Sequence, residues 1–352
     1  MIVSPAVPRL LRVNDLSAPE PPSTRGLEPP ARFASASFAG YLPQHPTQGA
    51  ALERVRAFVA PLGQGAGRRR RLAGLLPRRP EPGAGLYLDG GFGVGKTHLL
   101  AAAYREAGTA AKRYLSFQQL VYLIGALGMP QAIAEFGDAR LLCIDEFELD
   151  DPGNTLMVKT FLQALLARGA RVVTTSNTPP EAQGRGRFNA EDFQREIQSL
   201  AAAFEVVPVD GPDFRARHAG GAWLSAARVR ELEATEESPA PRLSLSWDEL
   251  LDLLRAHHPS RYAGLLAQVA SVYVHGARTI PHQNDALRFV HFVDQLYERA
   301  LLLRVSGEGD IEDVFHPHYR ESAYAKKHHR CVSRLAELLA ERTAVGAAVA
   351  AD

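Results

Sequence analysis

The chain has 352 residues, of which 46% are hydrophobic, with a net charge of +1 and two cysteines. That is apolar material enough for two packed domains, and the near-neutral balance supplies no overall field for nucleic acid or an anionic membrane. Cys143 and Cys331 lack redox or metal spacing, as expected of a reducing, cytoplasmic compartment. No apolar run approaches the ~18 residues of a membrane span, and Pro5, Pro8, Arg9 and Arg12 interrupt any signal-peptide core.

Residues 1–35 read as a disordered Pro-rich tail, with seven prolines among the first thirty positions. From Phe38 the chain passes Tyr41 and Pro43-Gln44-His45-Pro46-Thr47-Gln48 into a helical pattern, with Leu52, Val55, Phe58 and Val59 on one side. Gly63 to Gly85 is rich in glycine and arginine and contains Arg68-Arg69-Arg70-Arg71 and Arg78-Arg79. It fits a solvated surface loop, or a contact for an acidic partner, nucleic acid or anionic lipid.

Leu86-Tyr87-Leu88-Asp89 is a short apolar strand that breaks into Gly90-Gly91-Phe92-Gly93-Val94-Gly95-Lys96-Thr97 and then a helix ending near Ala107 and Gly108. This is the phosphate-binding pattern G-x-x-x-x-G-K-[ST] between strand and helix, which binds ATP or GTP. Glycines let the backbone approach phosphate closely. Lys96 is placed to reach the β- and γ-phosphates and the Thr97 hydroxyl to help hold Mg²⁺, while the helix N-terminus faces the anion. The expected nucleotide-binding set is Gly90 to Thr97 with His98.

Strand and helix patterns then alternate: Lys112 to Phe117, Gln118 to Leu127, Arg140 to Ile144, Asn154 to Arg168, Arg171 to Thr175, a helix capped by Asn189, and Glu205 to Val209. The alternation predicts an α/β fold, a P-loop NTPase core over 36–212 with a mainly parallel, doubly wound sheet. A smaller α/β region follows over 213–352, with an exposed linker at about 229–243 and a helical end from Glu321 to Arg342. Asp145 closes an apolar strand 49 residues after Lys96, where it can hold Mg²⁺. Glu146 beside it is placed to activate water, and Asn177 to sense the γ-phosphate. Nine of twelve histidines follow residue 256; without a zinc spacing they read as surface or packing residues.

The motif order resembles AAA+ ATPases. Tyr41 to Gln48, Gly90 to Leu100, Leu141 to Phe147, Val173 to Pro180 and Phe204 to Asp213 resemble, within them, the ZapE and AFG-like ATPase family. So do Arg288-Phe289-Val290, Asp294-Gln295-Leu296-Tyr297-Glu298 and Cys331-Val332-Ser333-Arg334-Leu335, so that the likeness runs from about 38 to 342. The resemblance implies an ATP-hydrolysing protein, working as a homo-oligomer on protein clients. Bacterial members are associated with the divisome and the FtsZ ring, and mitochondrial ones with quality control at the inner membrane, so a peripheral membrane association is also implied. Carried over, Lys96, Glu146 and Asn177 are catalytic, and Thr97 and Asp145 hold the metal. The arginine finger departs from the family, because Ala190 stands at its usual position, three before Phe193. Arg187 is the favoured substitute, with Arg185 and Arg195 nearby, and Arg334 is a candidate second sensor or a structural arginine. The competing readings are a DNA-replication ATPase, suggested by Gly95-Lys96-Thr97-His98-Leu99-Leu100, and a non-catalytic scaffold. A nucleic-acid partner is not expected, since the C-terminal region shows no helix-turn-helix signal and the net charge is near neutral.

Overall fold

The computed structural model describes residues 10–12, 15–16, 24, 26–63, 83–149, 152–179, 202–212, 222–236, 241–321 and 324–340. The arginines of the 68–79 segment, and Arg185, Arg187, Asn189 and Arg195, lie outside these residues. The chain divides into two compact units, Pro22–Phe214 and Met1–Pro21 with Arg215–Asp352. The short strand β1 (Leu10–Leu11) belongs to the latter.

In the Pro22–Phe214 unit the order is α1 (Pro46–Val59), β2 (Gly85–Asp89), α2 (Lys96–Glu106), β3 (Lys112–Ser116), α3 (Phe117–Leu127), α4 (Met129–Glu135), β4 (Leu141–Asp145), α5 (Pro152–Ala167), β5 (Arg171–Ser176) and β6 (Phe204–Pro208). The five strands pair in parallel in the order β3-β4-β5-β2-β6. Strand side chains alternate between faces, and here both faces are covered. Leu86, Leu88 and Val173 pack with Val55, Phe58, Leu99 and Leu100. Tyr87, Leu142 and Ile144 pack instead with Leu120, Leu123, Phe161 and Leu165. A parallel sheet buried on both sides requires the near-continuous apolar strands seen at Leu86–Leu88 and Leu141–Ile144.

Local signals place the helix ends. Ser116 and Gln119 form a reciprocal capping box at the start of α3, and His45 and Gln48 do so for α1. The helix α4 lies beyond the expected elements; Gly128, at φ +77°, turns the chain between α3 and α4, and Pro130 sits in the first turn of α4. The expected disordered tail also needs correction. Leu10 and Leu11 pair with Arg242 and Leu243, and the Leu27 carbonyl accepts the Tyr114 N–H at 2.8 Å. Proline-rich chain tolerates this because edge pairing uses only part of its hydrogen-bonding groups.

The second unit contains α6 (Ala226–Thr235), β7 (Arg242–Ser246), α7 (Trp247–Ala256), α8 (Tyr262–Leu266), β8 (Ser271–Ala277), α9 (Gln283–Glu298), β9 (Leu302–Gly307) and α10 (Ala325–Ala340). Its strands pair in parallel in the order β1-β7-β8-β9. Leu243, Leu245, Val272, Val274, Leu303 and Val305 face a core shared with Trp247, Phe289 and Leu335. The alternate positions are polar. There Arg242 donates to the Glu233 and Glu236 carbonyls at 2.7 and 3.0 Å, and Tyr273 and Arg304 bond the Glu236 carboxylate.

The stretch 229–243, expected as an exposed linker, carries a helix and a strand at its described ends, and 237–240 lie outside the described residues. Val229 is fully buried on α6, and Arg242 and Leu243 lie in a buried strand. The charged residues around Val229 remain at the surface, with Arg228, Arg230 and Glu231 exposed, while Glu236 at the helix end pairs with Arg304. Among the histidines, His316 and His318 stack at 5.0 Å, and His328 is buried, which lowers its pKa from the usual 6.5.

Candidate active site

The loop from Gly90 to Gly95 leaves β2 and enters α2, whose N-cap is Gly95. Two contacts explain its glycines. A Cβ on Gly90 would lie 2.1 Å from the Val209 carbonyl oxygen, and Gly95 has φ +93° with the Tyr41 ring 2.7 Å from where a Cβ would stand. Gly91 has open space around its Cβ position. The loop carbonyl of Val94 accepts hydrogen bonds from Tyr41 Oη and Gln48 Nε2, both at 3.2 Å. Gln48 is fully buried, and its Oε1 also takes the Gln44 and His45 N–H groups at 2.6 and 3.2 Å. The first turn of α1 thus clamps the loop.

Gly95→Ala is expected to weaken ATP binding about five- to hundredfold, the equivalent of about 1–3 kcal/mol of left-handed strain plus the clash with Tyr41. Nucleotide titration checks this; unchanged affinity would refute the close approach.

Lys96, 7% exposed, donates to the Gly90 oxygen at 2.8 Å, to the Gly91 oxygen and to Asn177 Oδ1 at 2.9 Å. It joins the loop to the end of β5. Thr97 Oγ1 donates to Asp145 Oδ1 at 3.3 Å. The Thr175 hydroxyl also donates to that oxygen, and Tyr114 Oη donates to Asp145 Oδ2 at 3.1 Å. The next residue, Glu146, has φ +54°, and its N–H reaches Asp145 Oδ1 at 3.2 Å and Thr175 Oγ1 at 3.0 Å.

The fold therefore gathers Lys96, Thr97, Asp145, Glu146 and Asn177 around the loop. Phe92 is half-buried and Val94 buried within it. The His98 side chain goes elsewhere: its Nε2 meets the Ser37 carbonyl at 3.0 Å and its ring packs on Tyr41 at 5.5 Å. Arg187 lies outside the described residues. Arg334 belongs to the second unit, 5% exposed, where it and Arg330 donate to Asp294. This makes it a structural arginine. Arg288 similarly caps α7 through the Leu254 and His257 carbonyls, both at 2.9 Å.

Tyr114, Thr175, Tyr41 and Gln48 complete the site without having been assigned roles from sequence. Thr175 and the Tyr41 to Gln48 stretch stand within motifs; nothing local marks Tyr114.

An ammonium, a hydroxyl, a carboxylate and an open glycine loop at a helix N-terminus are the donor set that a nucleoside triphosphate and a hard divalent cation require. With the parallel sheet order, they define an α/β P-loop ATPase of the AAA+ type. The chain belongs to the AFG1-like ATPase family, whose model matches residues 24–252 and 243–344. The cell division protein ZapE of Escherichia coli is 28% identical over 300 residues, covering 74% of this chain and 79% of ZapE. The chromosomal replication initiator protein DnaA of Xanthobacter autotrophicus is 31% identical over 211 residues, covering 50% of this chain and 41% of DnaA. Among solved structures, AMPPCP-bound DnaA from Aquifex aeolicus is similar at 16% identity and a TM-score of 0.37, covering 62% of this chain and 59% of that one. Among the described residues no helix is long and apolar enough to cross a membrane.

Proposed function

We propose that this protein hydrolyses ATP with Mg²⁺ at the Gly90 to Thr97 site and uses turnover to remodel protein clients during cell division. The observation that carries the catalytic part is the convergence of Thr97, Asp145 and Glu146. Thr97 and Asp145 would hold Mg²⁺, which when bound screens the phosphate charge. Lys96 binds the β- and γ-phosphates, and the loop amides orient them. Glu146 takes a proton from water as the water oxygen bonds to the γ-phosphorus and the bond to ADP breaks. Asn177 stays linked to Lys96 and reports the γ-phosphate. A homo-oligomer, with Arg187 reaching the neighbouring site, fits the AAA+ class.

The client part rests on the ZapE likeness, which runs through both units. A divisome protein such as FtsZ is the first candidate, encountered in the cytoplasm or at the inner face of the membrane. The DnaA likeness supports a replication ATPase as the second reading, but it covers only half the chain.

Glu146→Gln is expected to bind ATP while hydrolysing it about 10²- to 10⁴-fold more slowly, the usual worth of a general base. Phosphate release with and without EDTA, beside nucleotide affinity, measures both this and the metal requirement. With ATP bound, this variant is expected to co-sediment with FtsZ. Salt-sensitive binding to DNA that stimulates hydrolysis would favour the replication reading instead.

A further inference from the structure

Glu146 occupies a backbone region that non-glycine residues avoid, at φ +54°. Such a conformation persists only where its surroundings over-determine it. Among the described residues, Thr175 supplies several of the contacts that hold it. Thr175 Oγ1 accepts the Glu146 N–H at 3.0 Å and donates to Asp145 Oδ1, while the Thr175 carbonyl accepts the Phe147 N–H at 2.7 Å. A single side chain and its own peptide group thus grip 145, 146 and 147 in succession. Thr175 is 2% exposed, so bulk water does not compete for these contacts. Two positions further along the chain, Asn177 holds Lys96 at 2.9 Å. The end of β5 therefore touches both the phosphate-binding lysine and the acidic pair.

We propose that Thr175 is a positioning residue for the hydrolytic step: its hydroxyl sets the backbone from which the Glu146 carboxylate acts. This rests on the proposed role of Glu146. The hydroxyl does so through matched roles, accepting from the Glu146 amide while donating to the Asp145 carboxylate, so valine, of equal shape, satisfies neither. Serine keeps both. Nucleotide binding, carried by the loop and Lys96, is left in place.

Three variants test this. Thr175→Val is expected to lower kcat about tenfold to hundredfold, a part of the general-base contribution, with ATP affinity held within about threefold. Thr175→Ser is expected to stay within about threefold of the wild type on the same scale. Amide hydrogen exchange at Glu146 and Phe147 in the nucleotide-free protein is expected to accelerate about tenfold in Thr175→Val. A melting curve checks folding, and Thr175→Ala replaces Thr175→Val if the latter is unfolded.

The decisive comparison is made in single turnover on a Glu146→Gln background. A residue acting through Glu146 adds no further loss there. An equal additional loss in that background, or a wild-type kcat in Thr175→Val, would overturn the proposal. If Glu146→Gln itself turns over normally, the reading of Glu146 fails and this inference with it; if Glu146→Gln is inactive while Thr175→Val is fully active, only the inference fails.

Discussion

Lys96→Ala is expected to abolish ATP turnover, lowering kcat/KM by about 10³-fold or more, because one side chain does two jobs. In the proposed reaction its ammonium is the fixed positive charge for the phosphates, and electrostatic groups of this kind are each worth about 10²–10³ in rate. It also donates to the oxygens of Gly90, Gly91 and Asn177. Truncation leaves those acceptors short of a donor at a site where the lysine is 7% exposed, at about 1–3 kcal/mol for each one left unsatisfied. Lys96→Arg is not expected to rescue turnover, since a planar fork cannot converge on three acceptors as a compact ammonium does. Phosphate release and nucleotide titration measure the effect, with a melting curve to separate chemistry from folding. Hydrolysis at the wild-type rate would remove the basis for the catalytic assignment.

Asp294→Ala is expected to destabilise the second unit by about 3–5 kcal/mol, the cost of removing one side of a buried ion pair. Arg330 and Arg334 both donate to this carboxylate, and all three residues are 5% exposed or less. Neither arginine can reach bulk water once Asp294 is gone. Arg334 also lies over the Tyr297 ring at 5.0 Å, and the Tyr297 hydroxyl bonds the buried Glu337 at 2.6 Å, so the network joins α9 to α10 at several points. That loss is a large share of the ~5–15 kcal/mol that keeps a domain folded. Denaturant unfolding followed by tryptophan fluorescence checks it, since Trp247 lies in the same core. A change under about 1 kcal/mol would show that the pair is not needed for stability.

The two variants probe different uses of charge. In the Pro22–Phe214 unit a cation is held by carbonyl and amide oxygens, which in the proposed reaction it exchanges for phosphate. In the second unit two cations are locked to a carboxylate. Sequence alone does not separate them, because Lys96 and Arg334 both stand within motifs that resemble the same family. Both are buried, and the facing groups separate them: neutral oxygens for Lys96, the Asp294 carboxylate for Arg334.

Much of the fold was legible in order and type. Strand runs such as Leu141–Ile144 are apolar throughout because parallel strands are covered on both faces. The misreadings have physical causes. The 229–243 stretch read as a linker because α6 is charged and mostly exposed, while the arginine that meets Glu236 at its end, Arg304, lies 68 residues away on β9. Leu10 and Leu11 were lost among prolines because edge pairing leaves almost no compositional trace.

By itself, the sequence determined the nucleotide loop and the acidic pair, because close backbone approach needs glycine and phosphate needs a lysine and a hydroxyl at set spacing. Only the tertiary structure decided how the acidic pair is held. Tyr114 and Thr175 meet Asp145 from neighbouring strands, 31 and 30 residues away in sequence. Contacts of that separation are set by sheet order and register, which leave no pattern in the local sequence.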